Sequence, residues 1–216
     1  MAPRPLLLGH RGARAVRSVP ENTVTSFDLA MEHGCDGVEF DLRLTACGRA
    51  LVCHDPKVGK VTVARATCRQ LTHLPCLEDV LRHYSYRAFL DIELKVPGLE
   101  SRVLTALRDS NLRDTVLVSS FLPEVTTELK ARSAVVNVGI ICERPSQLVR
   151  WPKLPVDHVI VHHSLLTKRL VQRIHSAGRK IFAWTVNDAN SMLRLAAWGV
   201  DGIISDETQL LAQTLN

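Results

Sequence analysis

Arg87-Ala88-Phe89-Leu90-Asp91-Ile92-Glu93-Leu94 is the stretch that decides the fold. It is a short, largely apolar run and reads as a strand, and Leu99–Ser110 behind it reads as a helix. The couple then repeats toward the C-terminus. Thr115–Ser119, Val135–Ile141, His158–Val161, Lys180–Thr185 and Gly202–Ser205 read as strands. Between and after them, Pro123–Arg132, Thr167–Ala177, Ala189–Trp198 and Glu207–Leu215 read as helices, with a short helix or turn at Ser146–Arg150. Gly178 and Gly199 supply helix stops.

The same pattern extends back toward the N-terminus. Leu77–Leu81 starts a helix after Pro75, and Asp55–Leu74 is irregular. Arg49–Cys53 reads as a strand returning through the turn Thr45-Ala46-Cys47-Gly48. Asp36–Leu44 is strand-like, with Val38, Phe40, Leu42 and Leu44 on one face and Glu39, Asp41 and Arg43 on the other. Glu21–His33 reads as a helix stopped by Gly34, and Leu6–Gly9 as the first strand. Counting Arg49–Cys53 with its predecessor, the chain holds eight β/α units. Strands alternating with helices pair in parallel, and eight such units close into a (β/α)8 barrel of the TIM type. One α/β domain over residues 1–216 is therefore expected. An open doubly wound sheet is the alternative, but no G-x-G-x-x-G run follows any strand.

Composition is that of a globular domain, 46% hydrophobic and 23% charged over 216 residues. The formal charge is +5, and Lys and Arg are scattered, with no run of five like charges. No nucleic-acid partner is expected, and a mild positive field suits an anionic small substrate. Leu6-Leu7-Leu8 falls short of the apolar core of a signal peptide, and no segment reaches the length of a membrane span. A cytoplasmic location follows as the expectation. The six cysteines lack CxxC pairs, so they read as small buried or surface thiols of a reducing compartment.

In such a barrel, catalytic groups stand at the C-terminal ends of the strands. His10 and Arg11 end the first strand, and Glu39 and Asp41 share a face of the second. His54 follows the returning strand, and Glu93 and Lys95 share a face of the third. Trp184 and Asn187 flank the end of the seventh. Three acids at one mouth repel one another unless a cation sits between them. Glu39, Asp41 and Glu93 are thus candidate ligands for a hard divalent ion such as Mg2+ or Ca2+. His10 and His54 are candidates for general acid–base work, and Arg11 and Lys95 for holding a phosphate. His162-His163 is a candidate at the mouth, while His33, His73, His83, His158 and His175 carry no comparable context.

Taken in order, His10-Arg11-Gly12, Pro20-Glu21-Asn22-Thr23, Glu39-Phe40-Asp41, His54-Asp55 and Glu93-Leu94-Lys95 resemble the pattern of the glycerophosphodiester phosphodiesterase family. Val118-Ser119-Ser120-Phe121, Ala183–Asn187 and Val200–Asp206 are later echoes, so the resemblance spans nearly the whole chain. It implies a metal-dependent hydrolase on a (β/α)8 barrel that cleaves glycerophosphodiesters to sn-glycerol 3-phosphate and an alcohol. It implies His10 and His54 as the catalytic pair, Glu39, Asp41 and Glu93 as metal ligands, and Arg11 and Lys95 as the phosphate clamp. Trp184 is a candidate for the substrate pocket. Glycerophosphocholine and glycerophosphoethanolamine are representative substrates.

Two departures from the family pattern stand at Thr45-Ala46-Cys47-Gly48, where Thr-x-Asp-Gly is frequent, and at Ser205-Asp206-Glu207-Thr208, where Thr-Asp-x-Pro is. The stretch from His54 to Glu93 is short, which implies an open site. A phospholipase-D-like lyase on the same barrel, acting on lysophospholipids with a cyclic phosphate product, is the alternative. Such lyases are typically secreted and disulfide-bonded. A non-catalytic binding barrel predicts a missing catalytic residue, and none of the motif residues is missing.

Overall fold

Apolar runs ending in polar residues become strands whose tips carry the chemistry, and the computed structural model, which describes residues 4–109 and 115–216, shows them in sequence. The first elements are β1 (Leu6–His10), α1 (Val24–Glu32), β2 (Gly37–Leu44) and β3 (Ala50–Val52). A small hairpin, β4 (Lys57–Val58) and β5 (Val61–Thr62), follows, then α2 (Leu77–Tyr84) and β6 (Phe89–Leu94). Next come α3 (Glu100–Asp109), β7 (Val116–Ser120), α4 (Pro123–Arg132), β8 (Asn137–Cys142), α5 (Pro145–Leu148) and β9 (His158–His162). The chain closes with α6 (Lys168–Ser176), β10 (Lys180–Trp184), α7 (Ala189–Trp198), β11 (Gly202–Ser205) and α8 (Thr208–Leu215).

The parallel strands run in the order β1, β11, β10, β9, β8, β7, β6, β2, and β1 also pairs with β2, so the ring closes. The expected barrel is therefore the observed one. Strand β3 lies antiparallel outside the ring against β2, with Leu42 opposite Val52.

Alternation with period two separates two cores. The outward face of β2 carries Val38, Phe40 and Leu42, all fully buried under helices. There Phe27 of α1 packs on Phe40 at 5.6 Å and on Tyr84 of α2 at 5.8 Å between ring centroids. The inward face carries Leu8, Leu117, Ile141, Ile160, Phe182 and Ile204, which fill the barrel below its mouth. Gly37 also points inward, and a Cβ there would run into the carbonyl oxygen of Phe89 on β6. A residue without a side chain is what lets β2 and β6 approach beneath the acidic residues.

Two local expectations change, and a third falls on residues that are not described. The first helix begins at Val24, not Glu21, because Asn22 is left-handed at φ 57° and Thr23 caps the helix by accepting from Ser26 N at 3.2 Å. Within the irregular 55–74 stretch lie the β4–β5 hairpin and a single turn at Val63–Arg65, packed with Leu51, Cys53, Ala66 and Leu71 in a satellite core. Strands two residues long are too short to show alternation. Ser110, the expected end of the third helix, lies outside the described residues.

The reading of all six cysteines as thiols is corrected. Cys47 and Cys68 form a disulfide with a sequence separation of 21, tying the β2–β3 turn to the segment before α2. Spacing does not reveal it, because the two are neighbours only in space, at a Cα–Cα distance of 5.6 Å. Cys35, Cys53, Cys76 and Cys142 are free thiols.

Candidate active site

The C-terminal ends of the parallel strands converge on a cavity of about 360 Å³. His10, Arg11, Glu39, His54, Glu93 and Lys95 line one side of it, and Phe121, Ile141, Ile160, Trp184 and Ile204 line the other. Register sets the first group. Asp41 on β2 lies beside Glu93 on β6, and Glu39 lies beside Asp91 one pleat below. His54 reaches the same level because Cys53 N donates to Asp41 O at 3.0 Å, and Arg43 Nε donates to His54 O at 2.6 Å.

Oxygen atoms of Glu39, Asp41 and Glu93 all lie within 4.8 Å of one another, and all three side chains are buried. Burial and the neighbouring carboxylates of Asp41, Glu93 and Asp91 push Glu39 well above the usual carboxylate range. Burial and Asp41 push Glu93 up to about 7, against the opposing Lys95 ammonium. Burial works in the same direction on Asp41, but Lys95, Arg11 and a hydrogen bond from Asn22 outweigh it and hold that acid low. Asp41 Oδ1 accepts no hydrogen bond and has Lys95 Nζ at 3.3 Å, while Glu93 Oε1 has the same ammonium at 2.7 Å. Three hard oxygen ligands crowded together, with one Asp41 oxygen left without a hydrogen bond, fit a divalent cation of the Mg2+ or Ca2+ kind.

Each histidine is held by an acid. His10 Nδ1 lies 2.6 Å from Asp206 Oδ1, which leaves Nε2 on the side of Glu39, at 3.8 Å from Oε2. Burial lowers the His10 pKa, and Asp206 offsets only part of that. Burial would raise Asp206, but hydrogen bonds from His10, Asn187 and Arg14 hold it far below the usual range. His54 Nδ1 lies 2.8 Å from Asp55 Oδ1, and its ring is about a third exposed at the mouth, at 34%. Arg11 is held left-handed at φ 53°, which turns its backbone N–H to Glu39 Oε2 at 3.2 Å. Its guanidinium binds Glu21 at 2.8 Å and stands 3.2 Å from Asp41.

Over residues 10–85 and 72–210 the chain matches the model of the glycerophosphoryl diester phosphodiesterase family. The chain belongs to this family. A glycerophosphodiester phosphodiesterase of Caldanaerobacter subterraneus subsp. tengcongensis is 28% identical, with 95% of this chain and 96% of the relative aligned. A relative of the same name from Bacillus altitudinis is also 28% identical, covering 93% and 94%. Among solved structures, the glycerophosphodiester phosphodiesterase of Thermotoga maritima superposes with a TM-score of 0.83 at 26% identity, covering 99% of both chains. A phosphodiesterase of Oleispira antarctica, in complex with its product sn-glycerol-3-phosphate, shares the fold with a TM-score of 0.86 at 24% identity, covering 98% and 96%.

In this family member the structure brings His10, Arg11, Glu39, His54, Glu93, Lys95 and Trp184 to one cavity, with Asp41 fully buried beside them. His162 does not line that cavity; its ring stands perpendicular to Trp184 at 5.5 Å between centroids. Sequence reasoning gave no role to Glu21, Asn22, Asp91, Asn187 or Asp206. Glu21 and Asn22 were visible inside Pro20–Thr23 and Asn187 and Asp206 inside the later echoes, but their contacts are with residues far along the chain. Asp91 is buried, accepts from Ser119 Oγ at 2.7 Å, and is pushed up to about 7 by burial.

Proposed function

We propose that this protein is a metal-dependent phosphodiesterase that hydrolyses glycerophosphodiesters, such as glycerophosphocholine or glycerophosphoethanolamine, to sn-glycerol 3-phosphate and an alcohol. The observation that carries this reading is the single cavity lined by two histidines, two cations and the acidic cluster. Family membership and the product held by the Oleispira antarctica phosphodiesterase support it.

Glu39, Asp41 and Glu93 would hold the cation, Mg2+ or Ca2+. When bound, such an ion supplies Lewis-acid polarisation of a phosphoryl oxygen and lowers the pKa of a nearby hydroxyl. Arg11 and Lys95 offer positive charge to the remaining phosphate oxygens. His10 is the base in this reading: Asp206 engages Nδ1, so Nε2 is free to take a proton from the substrate glycerol hydroxyl. That hydroxyl is already tethered to the phosphorus it attacks, which removes the entropy cost of a second molecule. His54, at the open rim with Nδ1 on Asp55, donates the proton to the departing alcohol. Water then opens the cyclic phosphate with the two roles reversed.

Phosphorus NMR of glycerophosphocholine, glycerophosphoethanolamine and lysophosphatidylcholine, incubated with Mg2+, Ca2+ or chelator, tests the reading. Metal-dependent sn-glycerol 3-phosphate from the deacylated substrates is the expected result. A cyclic phosphate as end product would replace hydrolysis with the lyase reaction, and no product with either metal would overturn both. The Cys47–Cys68 bridge removes one ground against the lyase, so the product must be identified and not only counted.

A cytoplasmic location belongs to the same reading, with four of the cysteines free. The bridge opposes it, because cytosolic thiols are kept reduced. The mass of the protein isolated from its cells under thiol-blocking conditions decides the point.

A further inference from the structure

The cavity has two chemically different halves, and the phosphodiesterase reading uses only one. Along the rest of the rim, Trp184 and Phe121 meet nearly at right angles, at 77° with ring centroids 5.5 Å apart, and Lys95 Nζ stands 5.6 Å from the Phe121 centroid. The edge of His162 packs on Trp184 at 5.5 Å and fixes that ring. Phe121 already has the Lys95 ammonium over its ring, so Trp184 is the aromatic surface left on a wall otherwise built from aliphatic residues.

One charged side chain interrupts that wall. Glu143 follows β8, and its backbone N–H is held by Gln147 Oε1 at 2.8 Å, at the start of α5. In the ring of eight, β8 is the fourth strand from β1 in either direction, so Glu143 stands across the mouth from His10 and Arg11. Every other carboxylate on the cavity wall has a partner: Glu39 the Arg11 N–H, Asp91 Ser119, and Glu93 Lys95. Among the described residues the Glu143 carboxylate has none, and it is exposed to the cavity mouth.

We propose that Glu143 and Trp184 form the subsite for the alcohol half of the diester and favour an alkylammonium head group. The assignment rests on the phosphodiesterase reading, which puts the phosphate at Arg11 and Lys95. An ammonium or trimethylammonium group is attracted to aromatic faces and to a carboxylate at once. An anionic head group would meet repulsion from Glu143, and an acyl chain would have to strip water from an unpaired carboxylate. A neutral polyol gains neither attraction.

The test compares glycerophosphocholine with glycerophosphoglycerol, which differ in the charge of the alcohol. For the wild-type protein with its metal, the ratio of kcat/KM for the two should favour the ammonium diester about tenfold. Glu143→Gln should bring that ratio close to one, and Glu143→Lys should invert it. A ratio that stays within twofold of wild type in Glu143→Gln overturns the subsite.

Calorimetric titration of the same two diesters in chelator reads binding without turnover. Tighter binding of glycerophosphocholine that is lost in Glu143→Gln supports the subsite, and equal affinities in wild type and variant overturn it. If the binding margin is present but neither diester is hydrolysed with metal, the subsite stands and the phosphodiesterase reading falls. Preference for lysophosphatidylcholine that survives in Glu143→Lys would assign the wall to an acyl chain and overturn the proposal.

Discussion

His10 and Asp206, 196 residues apart in sequence, are joined by a 2.6 Å hydrogen bond at the seam where β11 meets β1. The contact fixes which imidazole nitrogen faces the cavity. Asp206 is itself oriented by Asn187 Nδ2 at 2.8 Å and Arg14 Nη1 at 3.1 Å. Replacing His10 by Ala should lower kcat by about 10²–10⁴, the usual contribution of a general base. Asp206→Asn should lower kcat by a smaller factor while KM stays near wild type, because it disturbs the orientation and tautomer of the base rather than substrate binding. Steady-state kinetics with circular dichroism on the same samples checks this; an unchanged kcat in Asp206→Asn would remove the orienting role.

Glu39→Gln and Glu93→Gln each remove one oxygen anion from a crowded cluster. Each should weaken metal affinity by more than the roughly 10- to 100-fold lost when only a residue supporting a metal ligand is altered. In chelator the direction of stability reverses. Both acids have folded-state pKa values above the unfolded one, so the folded state binds more protons and loses stability as pH rises from the unfolded value through the folded value. Above pH 7, metal-free Glu39→Gln should therefore melt higher than metal-free wild type. Melting curves with and without chelator read both effects, and a variant less stable than wild type without metal would contradict the charge-crowding account.

His158 gives the opposite pH sign. It points into the barrel at 4% exposure, against the edge of Phe182 at 5.3 Å, and Nδ1 has no hydrogen-bond partner. Burial pushes its pKa down to about 4. The unfolded state then binds the extra proton first, so stability contributed at neutral pH is lost as pH falls from about 6.5 toward 4. The shift corresponds to at most about 3 kcal/mol. His158→Leu should flatten the fall in melting temperature over that window. A slope identical to wild type would mean that His158 is not the titrating group.

The Cys47–Cys68 bridge closes a loop with a separation of 21 residues that includes β3 and His54. On chain entropy alone, such a loop stabilises by about 3 kcal/mol. Cys47→Ser with Cys68→Ser should lower the denaturant midpoint accordingly, and a reductant should shift wild type but not the double variant. Identical midpoints in all four samples would show that the bridge contributes nothing to the folded state.

The barrel was legible because its signal is local and repeated. Val38-Glu39-Phe40-Asp41-Leu42 alternates, and that alternation already assigns Phe40 to the helices and Asp41 to the interior, whatever the rest of the chain does. The motif residues were legible for the same reason, since each follows or ends an apolar run. Helix α1 starts at Val24 rather than Glu21 because Asn22 adopts a left-handed backbone that directs Nδ2 at Asp41, 2.9 Å away and 19 residues on. Local propensity contains no term for such a contact.

By itself the sequence determined the order of strands and helices, the closed barrel, and the placement of His10, Glu39, Asp41, His54, Glu93 and Lys95 at strand ends, because periodicity and chain order are carried within each segment. Asp206 on His10, Cys47 against Cys68, and Glu143 across the mouth from His10 emerge only in three dimensions. Those relationships depend on ring closure and register, which bring together residues that share no local signal.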